Sequence, residues 1–512
     1  MKPIKLVAGA MTVGFWTLMS RVLGLVRDVM LQAFIGPGPL MDAFIVAFRL
    51  PNMFRRLFAE GAFNSAFVPL FSKRLESDDD PEGFASEALS GLSFCLIIFI
   101  AVAMIFMPAL IWATAGDLEG GRFDLASSYG RVLFPYILMI SLAALLSGVL
   151  NASGHFAAAA AAPVFLNILL IGAMLIAWAL GSEVIAWVVW TIPLAGIVQL
   201  ALVWIAADRA GMRIRPRRPR LSNDMKHLVK VALPAALAGG VLQINLMVGQ
   251  WVAEDYPGAI SWLFGADRLY QLPLGVVGIA IGIVLLPDLA RRLEAGDHEG
   301  SRTAFSRASE FSMMLTLPAA MALLVIPLPL VSVLFERGET GPEDSAAMAQ
   351  ALAIYAVGLP AFVLQKLLQP LFFAREDTRS PFRYALYAMV ANVVLAFGLQ
   401  PFIGWLSPAL ATTLSAWIMA ISLYLGARKF GAIAQVDDRF RNRIWRICVA
   451  TGVMGTVLWG AHSLVAPVLF MPYWRYIALI ALVLFGLLVY AGAGQMTRAF
   501  SLQDFKSVFK RG

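Results

Sequence analysis

Leu6–Ile35 reads LVAGAMTVGFWTLMSRVLGLVRDVMLQAFI, a run long enough to cross a bilayer and apolar except at Arg21, Arg27 and Asp28. The next run carries Arg49, Arg55, Arg56 and Glu60. An Arg or Asp at the centre of a spanning helix costs roughly 2.5 to 3.5 kcal/mol on insertion scales, and each Leu, Ile or Phe returns only about 0.3 to 0.6. Seven such groups facing lipid would cancel much of the insertion energy of two helices. They are therefore expected to line a wet interior cavity, and their excess positive charge suits an anionic cargo.

The rest of the chain extends this reading. Of 512 residues, 60% are hydrophobic and 14% charged, and the mean hydropathy is +0.77. These values lie outside the range of soluble domains and define a polytopic membrane protein. Lys2 and Lys5 precede the first run as in a signal peptide, but the run continues past Arg21 without a small-residue cleavage site, so it reads as a retained first helix. The net charge of +8 sits largely in short segments between apolar runs, notably Arg209, Arg213, Arg215, Arg217, Arg218, Arg220 and Lys226. That is the positive-inside pattern and argues against nucleic acid as a partner.

A ruler of about 20 apolar residues marks about fourteen spanning segments: 6–35, 40–72, 84–115, 127–151, 156–180, 184–207, 228–253, 259–287, 308–335, 345–374, 382–404, 407–427, 444–466 and 472–495. Placing both termini in the cytoplasm puts the basic loops inside and the acidic ones, with Asp117, Glu119, Asp124, Glu254, Asp255, Glu336, Glu339, Glu343 and Asp344, outside. Val68-Pro69 aligns with Leu286-Pro287, and Arg74-Leu75-Glu76 with Arg292-Leu293-Glu294, at a common offset of 218. A slightly larger offset aligns Pro135 with Pro360 and Asn167 with Asn392. Helices one to six thus map on seven to twelve with the same parity, a parallel pseudo-twofold repeat.

The expected architecture is all-α integral membrane, with two six-helix lobes, 1–208 and 228–432, joined by a basic cytoplasmic linker at 209–227. Residues 433–512 add two helices and a basic tail. Pro51, Pro69, Pro135, Pro163, Pro234, Pro273, Pro287, Pro318 and Pro360 fall in or at the ends of spanning segments, where a missing backbone donor kinks or breaks the helix.

On a helical wheel Arg21 and Asp28 share a face, whereas Arg27 points about 120° away, so Asp28 is expected to neutralise one arginine and not both. Asp42 and Arg49 have the same spacing, and Arg56 with Glu60 is an i,i+4 pair, which leaves Arg55 without an obvious local partner. Asp267 and Arg268 interrupt the eighth segment before Pro273, and Lys366 stands alone in the tenth. Guanidinium groups grip phosphate with a planar fork and stay charged at any accessible pH, so arginines at cavity depth suit a pyrophosphate. Ion pairing that merely fixes helix packing is the competing account of these charges.

Cys95 and Cys448 lie inside apolar runs and read as small buried hydrophobes, not as a disulfide or thiolate site. His155, His227, His298 and His462 are scattered without metal-ligand spacing, and no Gly-x-x-x-x-Gly-Lys-Ser/Thr loop occurs. Neither an enzyme nor a resident metal or cofactor is expected. Energy must then come from an ion gradient, the membrane potential or the cargo's own gradient.

Ser20-Arg21-Val22-Leu23-Gly24-Leu25-Val26-Arg27-Asp28, Met41-Asp42-Ala43-Phe44, and the run from Arg49-Leu50-Pro51-Asn52 through Arg55, Arg56 and Glu60 to Phe63 closely resemble the MurJ (MviN) family of bacterial lipid II flippases. Ala266-Asp267-Arg268-Leu269 with Pro273 and Gly275 carries the same likeness. The resemblance implies the multidrug/oligosaccharidyl-lipid/polysaccharide exporter fold with a central cationic cavity, alternating access in the bacterial inner membrane, and a groove on helices thirteen and fourteen for the undecaprenyl tail. It implies lipid II, the undecaprenyl-pyrophosphate-linked disaccharide-pentapeptide, as cargo, membrane lipids as surroundings and cell-wall synthesis proteins as partners. It assigns cargo binding to Arg21, Arg27, Arg55 and Arg268. Support or gating falls to Asp28, Asp42, Arg49, Arg56, Glu60, Asp267, Gln271 and Lys366.

The family often carries an acidic residue near the position of Gln271, where this chain has an amide. Sodium-coupled members carry aspartates in helices seven and eleven, where this chain offers Gln243, Asn245 and Asn392, so no sodium site is carried over. Rival readings are an exporter of another polyprenyl-linked glycan or of drugs, and a non-transporting scaffold for cell-wall enzymes. A drug carrier would want aromatic and carboxylate cavity residues in place of arginines, and a scaffold leaves the buried arginines unexplained.

Overall fold

The apolar runs fold as helices because a backbone in lipid can satisfy its N–H and C=O groups only within its own segment or in a closed barrel. The structure is a computed structural model describing residues 3–55, 62–77, 79–119, 121–469, 471 and 473–500, the side chains of 3–11, 62–65, 233–246, 276–284, 286, 287, 290, 432 and 433 excepted. All regular structure among the described residues is helical. Eight spans there are long and apolar enough to cross a membrane unaided, or nine counting one bent pair.

The chain divides into two units. The first comprises residues up to Ser261 together with Arg337–Thr340, the second Trp262–Glu336 with the chain from Gly341. Helices of the first unit are α1 (Pro3–Ile35), α2 (Pro39–Arg55), α3 (Ala62–Ser77), α4 (Pro81–Ile105), α5 (Met107–Ala115), α6 (Arg122–Leu133), α7 (Tyr136–Ala152), α8 (Ala157–Ala179), α9 (Val184–Arg209) and α10 (Asn223–Ala253). There α8 packs on α1 and α9, α7 on α9 and α3, α2 on α6, and α10 on α3 and α5. Since lipid tails are as apolar as leucine, close approach of small residues holds such helices together. The buried Ala161, Ala162, Ala173 and Ala177 of α8 serve that purpose. Phe67 and Phe71 of α3 and Phe84 of α4 stack in a buried row.

Helices of the second unit are α11 (Ala259–Glu294, its first turn in the first unit), α12 (His298–Val325), α13 (Pro327–Phe335), α14 (Pro342–Phe373), α15 (Arg379–Ile403), α16 (Ser407–Ala427), α17 (Asp438–Leu469) and α18 (Trp474–Met496). There α14 packs on α16 and α12, α15 on α16, and α17 on α18 and α12. Leu285, Phe305, Leu367, Leu371, Phe372 and Leu423 form a core. The Tyr490 hydroxyl of α18 donates to the Met314 carbonyl of α12 at 2.8 Å.

Three of the apolar segments are divided into helix pairs among the described residues, α4–α5, α6–α7 and α12–α13. Proline sets each break. Pro135 lies between α6 and α7, which are bent by 40°, and Pro108 and Pro327 stand in the first turns of α5 and α13. By contrast Pro51, Pro69, Pro163, Pro318 and Pro360 are carried inside continuous helices. The two cysteines are exposed, not buried. Cys95 shares its α4 surface with exposed Phe94, Ile97 and Ile98. Apolar context cannot separate core from lipid-facing surface when the solvent is itself apolar.

One corner recurs in both units. Asp80 caps α4 by accepting from the Gly83 N–H at 2.9 Å, and Asp297 caps α12 by accepting from the Gly300 N–H at 2.8 Å. The segment after α9 lies along α4, the Arg215 and Arg217 N–H groups donating to the Ser86 and Ser90 hydroxyls. The segment after α16 likewise reaches α12, the Asp437 N–H donating to Ser306. The basic stretch after α9 is thus fastened to its own unit.

Candidate functional site

On α1 the Asp28 carboxylate is taken by Arg27, whose Nε and Nη2 donate to Oδ1 at 2.9 and 2.6 Å. The shared wheel face of Arg21 and Asp28 is overruled by rise. Seven residues put their Cα atoms about 10.5 Å apart along the axis, too far for one ion pair, whereas the long Arg27 side chain wraps to its neighbour. Arg27 Nη1 donates to Asn167 Oδ1 of α8 at 2.9 Å, and Asn167 Nδ2 donates back to the Ser20 carbonyl at 3.0 Å. The guanidinium is thus fixed in plane by two helices, with three of its five N–H bonds spoken for. Arg21 is exposed, with no ion pair or hydrogen bond among the described residues. One clamped and one open arginine, two turns apart, therefore lie on the same helix.

In the first turn of α2 Asp42 is wholly buried. It accepts from the Gly258 N–H at 2.7 Å, the Ser261 N–H at 3.0 Å and the Ser261 hydroxyl at 2.6 Å. Its cation is Arg122, 3.7 Å away and only 2% exposed, not Arg49. Arg122 also donates to the carbonyls of Glu119 at 2.9 Å and Glu254 at 2.7 Å, tying α6 to the end of α10. Glu254, in the loop after α10, has a buried Oε2 with no donor among the described residues. Burial, then the like charges of Asp255 and Asp117, push its carboxyl up to about 7, with Arg122 opposing.

In the second unit Arg268 lies over the Phe264 ring, its guanidinium carbon 4.5 Å from the centroid in a cation–π seat, and it is engaged further within the protein. The Gln271 amide donates to Asp267. This is a contact that a second carboxylate could not make without a proton. Tyr270 stacks on Tyr355 at 5.2 Å beside them.

The remaining expectations divide. Arg55 is half-buried at the end of α2 and is engaged, as are half-buried Arg49 and exposed Lys366, so neither Arg55 nor Lys366 stands alone. Arg56 and Glu60 lie outside the described residues, as do the side chains of Gln243 and Asn245. Among the described residues no group of three or more His, Cys, Asp or Glu is placed to hold a metal ion.

Two residues escaped the sequence reading, each with a signal. Arg122, which opens α6, is a lone cation among the acidic residues Asp117, Glu119 and Asp124. Asn167, noted only as a repeat marker, is a polar residue in the apolar run of α8 that needed a buried partner.

An all-helical fold with membrane-length apolar spans and an arginine clamped between two of its helices is the form of a transporter. A structure described as lipid II flippase MurJ in an inward closed conformation superposes with a TM-score of 0.80 at 23% identity, covering 94% of this chain and 98% of that one. An inward-facing multidrug resistance transporter of the MATE family, in the MOP superfamily, gives 0.68 at 19%, covering 83% and 98%. Residues 31–485 match the family described as Lipid II flippase MurJ. A Rhizobium tropici protein named probable lipid II flippase MurJ is 43% identical over 464 residues, 89% of this chain and 87% of its own. The chain belongs to the MurJ family of lipid II flippases.

Proposed function

We propose that the chain carries lipid II from the cytoplasmic to the periplasmic leaflet of the bacterial inner membrane by alternating access, without catalysing a covalent reaction. The observation that carries this is the pairing on α1 of Arg27, held in plane by Asp28 and Asn167, with Arg21 open beside it. A fixed guanidinium presents its fork pre-oriented, and an open one adapts to the second phosphate of a pyrophosphate. Family membership names the cargo class. Arg55 and Arg268 complete the proposed phosphate-binding set, and Asp28, Asp42, Asp267 and Gln271 orient or gate it.

The chain crosses the membrane fourteen times with both termini in the cytoplasm, as the distribution of basic loops indicates. The polyprenyl tail stays in lipid against α17 and α18, whose exposed Ile477, Ile480, Leu484 and Leu488 offer an apolar face. No cofactor is required, and the membrane potential supplies the bias.

The test replaces the native protein by Arg27→Ala or Arg268→Ala in cells depleted of the original. Each variant, at normal protein level, is expected to stop growth and trap lipid-linked precursor on the cytoplasmic side. Normal growth and normal precursor exposure would remove that arginine from the mechanism.

A further inference from the structure

A cavity of about 720 Å³ opens in the first unit where α1 ends, lined on one side by Val29, Met30, Ala33 and Phe34 and on another by Leu175 and Trp178 of α8. Its polar rim holds Ser182, Arg337 and Glu339. The size falls within the range of small-molecule sites, about 300 to 1,000 Å³. None of these residues takes part in the cargo or gating contacts described above.

The rim is built in place. The Glu339 N–H donates to the Ala33 carbonyl at 2.9 Å and the Thr340 hydroxyl to the Gln32 carbonyl at 2.7 Å, so the 337–340 corner is fastened to the last turn of α1. Gly338 adopts φ +60°, and a Cβ there would lie 2.0 Å from the Ala33 carbonyl oxygen, so only glycine permits this approach. One cation and one anion are thereby held at the mouth of an apolar recess.

The recess opens beside an exposed apolar surface. Trp178, Leu180, Leu175 and Ile176 are exposed on α8, and Trp187 and Trp190 follow on α9, an aromatic band of the kind that sits at headgroup depth. Phe34 and Trp178 approach to 6.4 Å between centroids across the apolar wall. A wholly anionic headgroup would meet the Glu339 carboxylate, and a wholly cationic one would meet Arg337. Arg337 is already engaged within the protein, but its Nε makes no hydrogen bond among the described residues. A zwitterion with a phosphate and a hydrogen-bonding ammonium satisfies both, the phosphate drawing on the remaining N–H groups of Arg337 and the ammonium on the carboxylate.

The geometry points to a binding site for an aminophospholipid, with its phosphoethanolamine headgroup between Arg337 and Glu339 and its chains along the exposed face of α8. An occupied site bridges the 337–340 corner, α1 and the α8–α9 turn. This makes it a lipid site separate from the cargo path, and it stands whatever the cargo is.

Native mass spectrometry of the full-length protein in detergent tests this with phosphatidylethanolamine, phosphatidylglycerol and phosphatidylcholine of identical chains. Phosphatidylethanolamine is expected to bind at least about fivefold tighter than either of the others, because only it offers both a phosphate and ammonium protons. Arg337→Ala should weaken it about tenfold, and Glu339→Gln should abolish the preference over phosphatidylglycerol. Should Arg337→Ala fail to fold, Arg337→Lys keeps the charge without the fork and is expected to weaken binding about threefold. Equal binding of the three lipids would overturn the assignment, as would wild-type affinity in the folded variants. Soluble glycerophosphoethanolamine binding as tightly as the lipid would overturn the lipid as occupant. A matching loss of lipid II retention in Arg337→Ala would instead give the cavity to the cargo.

Discussion

A single side chain decides how Arg27 is presented. Asn167 spends its carbonyl on the guanidinium and its amide on the Ser20 carbonyl, so Asn167→Ala removes the interhelical part of the clamp and leaves the charge and the Asp28 pair in place. It is expected to lower lipid II translocation about tenfold in reconstituted vesicles, at the scale of one charge-assisted hydrogen bond, and less than Arg27→Ala does. Equal losses would mean that the clamp is the whole of Arg27's contribution. Glu254 offers a second test at this scale. Its folded carboxyl titrates near 7 against 4.5 for a free one, so the folded chain holds this proton more tightly than the unfolded one. The stability it contributes is full below about pH 4.5 and lost as pH rises through about 7. Glu254→Gln fixes the neutral form, so its unfolding midpoint should match the wild type at pH 4.5 and exceed it at pH 8. A constant difference across that range would refute the assignment.

Elements show where the sequence was legible. The apolar ruler found the helical runs among the described residues, though not their number, because in lipid the hydrogen-bonding demand leaves the backbone no alternative. It could not tell which prolines break a helix. Pro135 does and Pro163 does not, because the outcome depends on whether neighbours satisfy the freed carbonyl, a tertiary fact. The wheel pairing of Arg21 with Asp28 failed for a similar reason, since it records direction and ignores both axial rise and side-chain length. Arg27 and Asp28 were recognisable as a site, but their partner Asn167 lies 140 positions away. The corner at 337–340 belongs to the same class of contact, long in sequence and invisible to periodicity. At Gly338 an added methyl collides with backbone, not with a yielding side chain, and the left-handed conformation adds strain. Gly338→Ala is therefore expected to destabilise the protein by about 2 kcal/mol or more. Gly211→Ala, at φ +86° with open space around it, should cost only about 1 kcal/mol. Thermal unfolding in detergent separates them, and equal shifts would show that the corner is not seated on α1.

For the molecule as a whole the question is what drives a cycle that makes and breaks no covalent bond. A cargo pyrophosphate is anionic, and a negative cytoplasm favours its outward passage. The empty carrier, its arginines uncovered, is favoured to return inward by the same field. Each net charge moved through 100 mV is worth about 2.3 kcal/mol, and at about 1.4 kcal/mol per decade this biases the outer-to-inner ratio of cargo roughly 50-fold. Vesicles holding the full-length chain and lipid II, with a potassium gradient and valinomycin setting an inside-negative potential, should therefore accumulate lipid II in the outer leaflet well beyond an even distribution. Collapsing the potential with equal potassium on both sides should return the ratio to near one while exchange continues. Arg21→Gln should shrink the voltage response more than it slows exchange at zero potential, because it removes a charge from the moving element while leaving the Arg27 clamp in place. A ratio indifferent to voltage, with exchange still active, would exclude the potential as the driving force and leave an ion gradient or consumption of the cargo outside to pull the cycle.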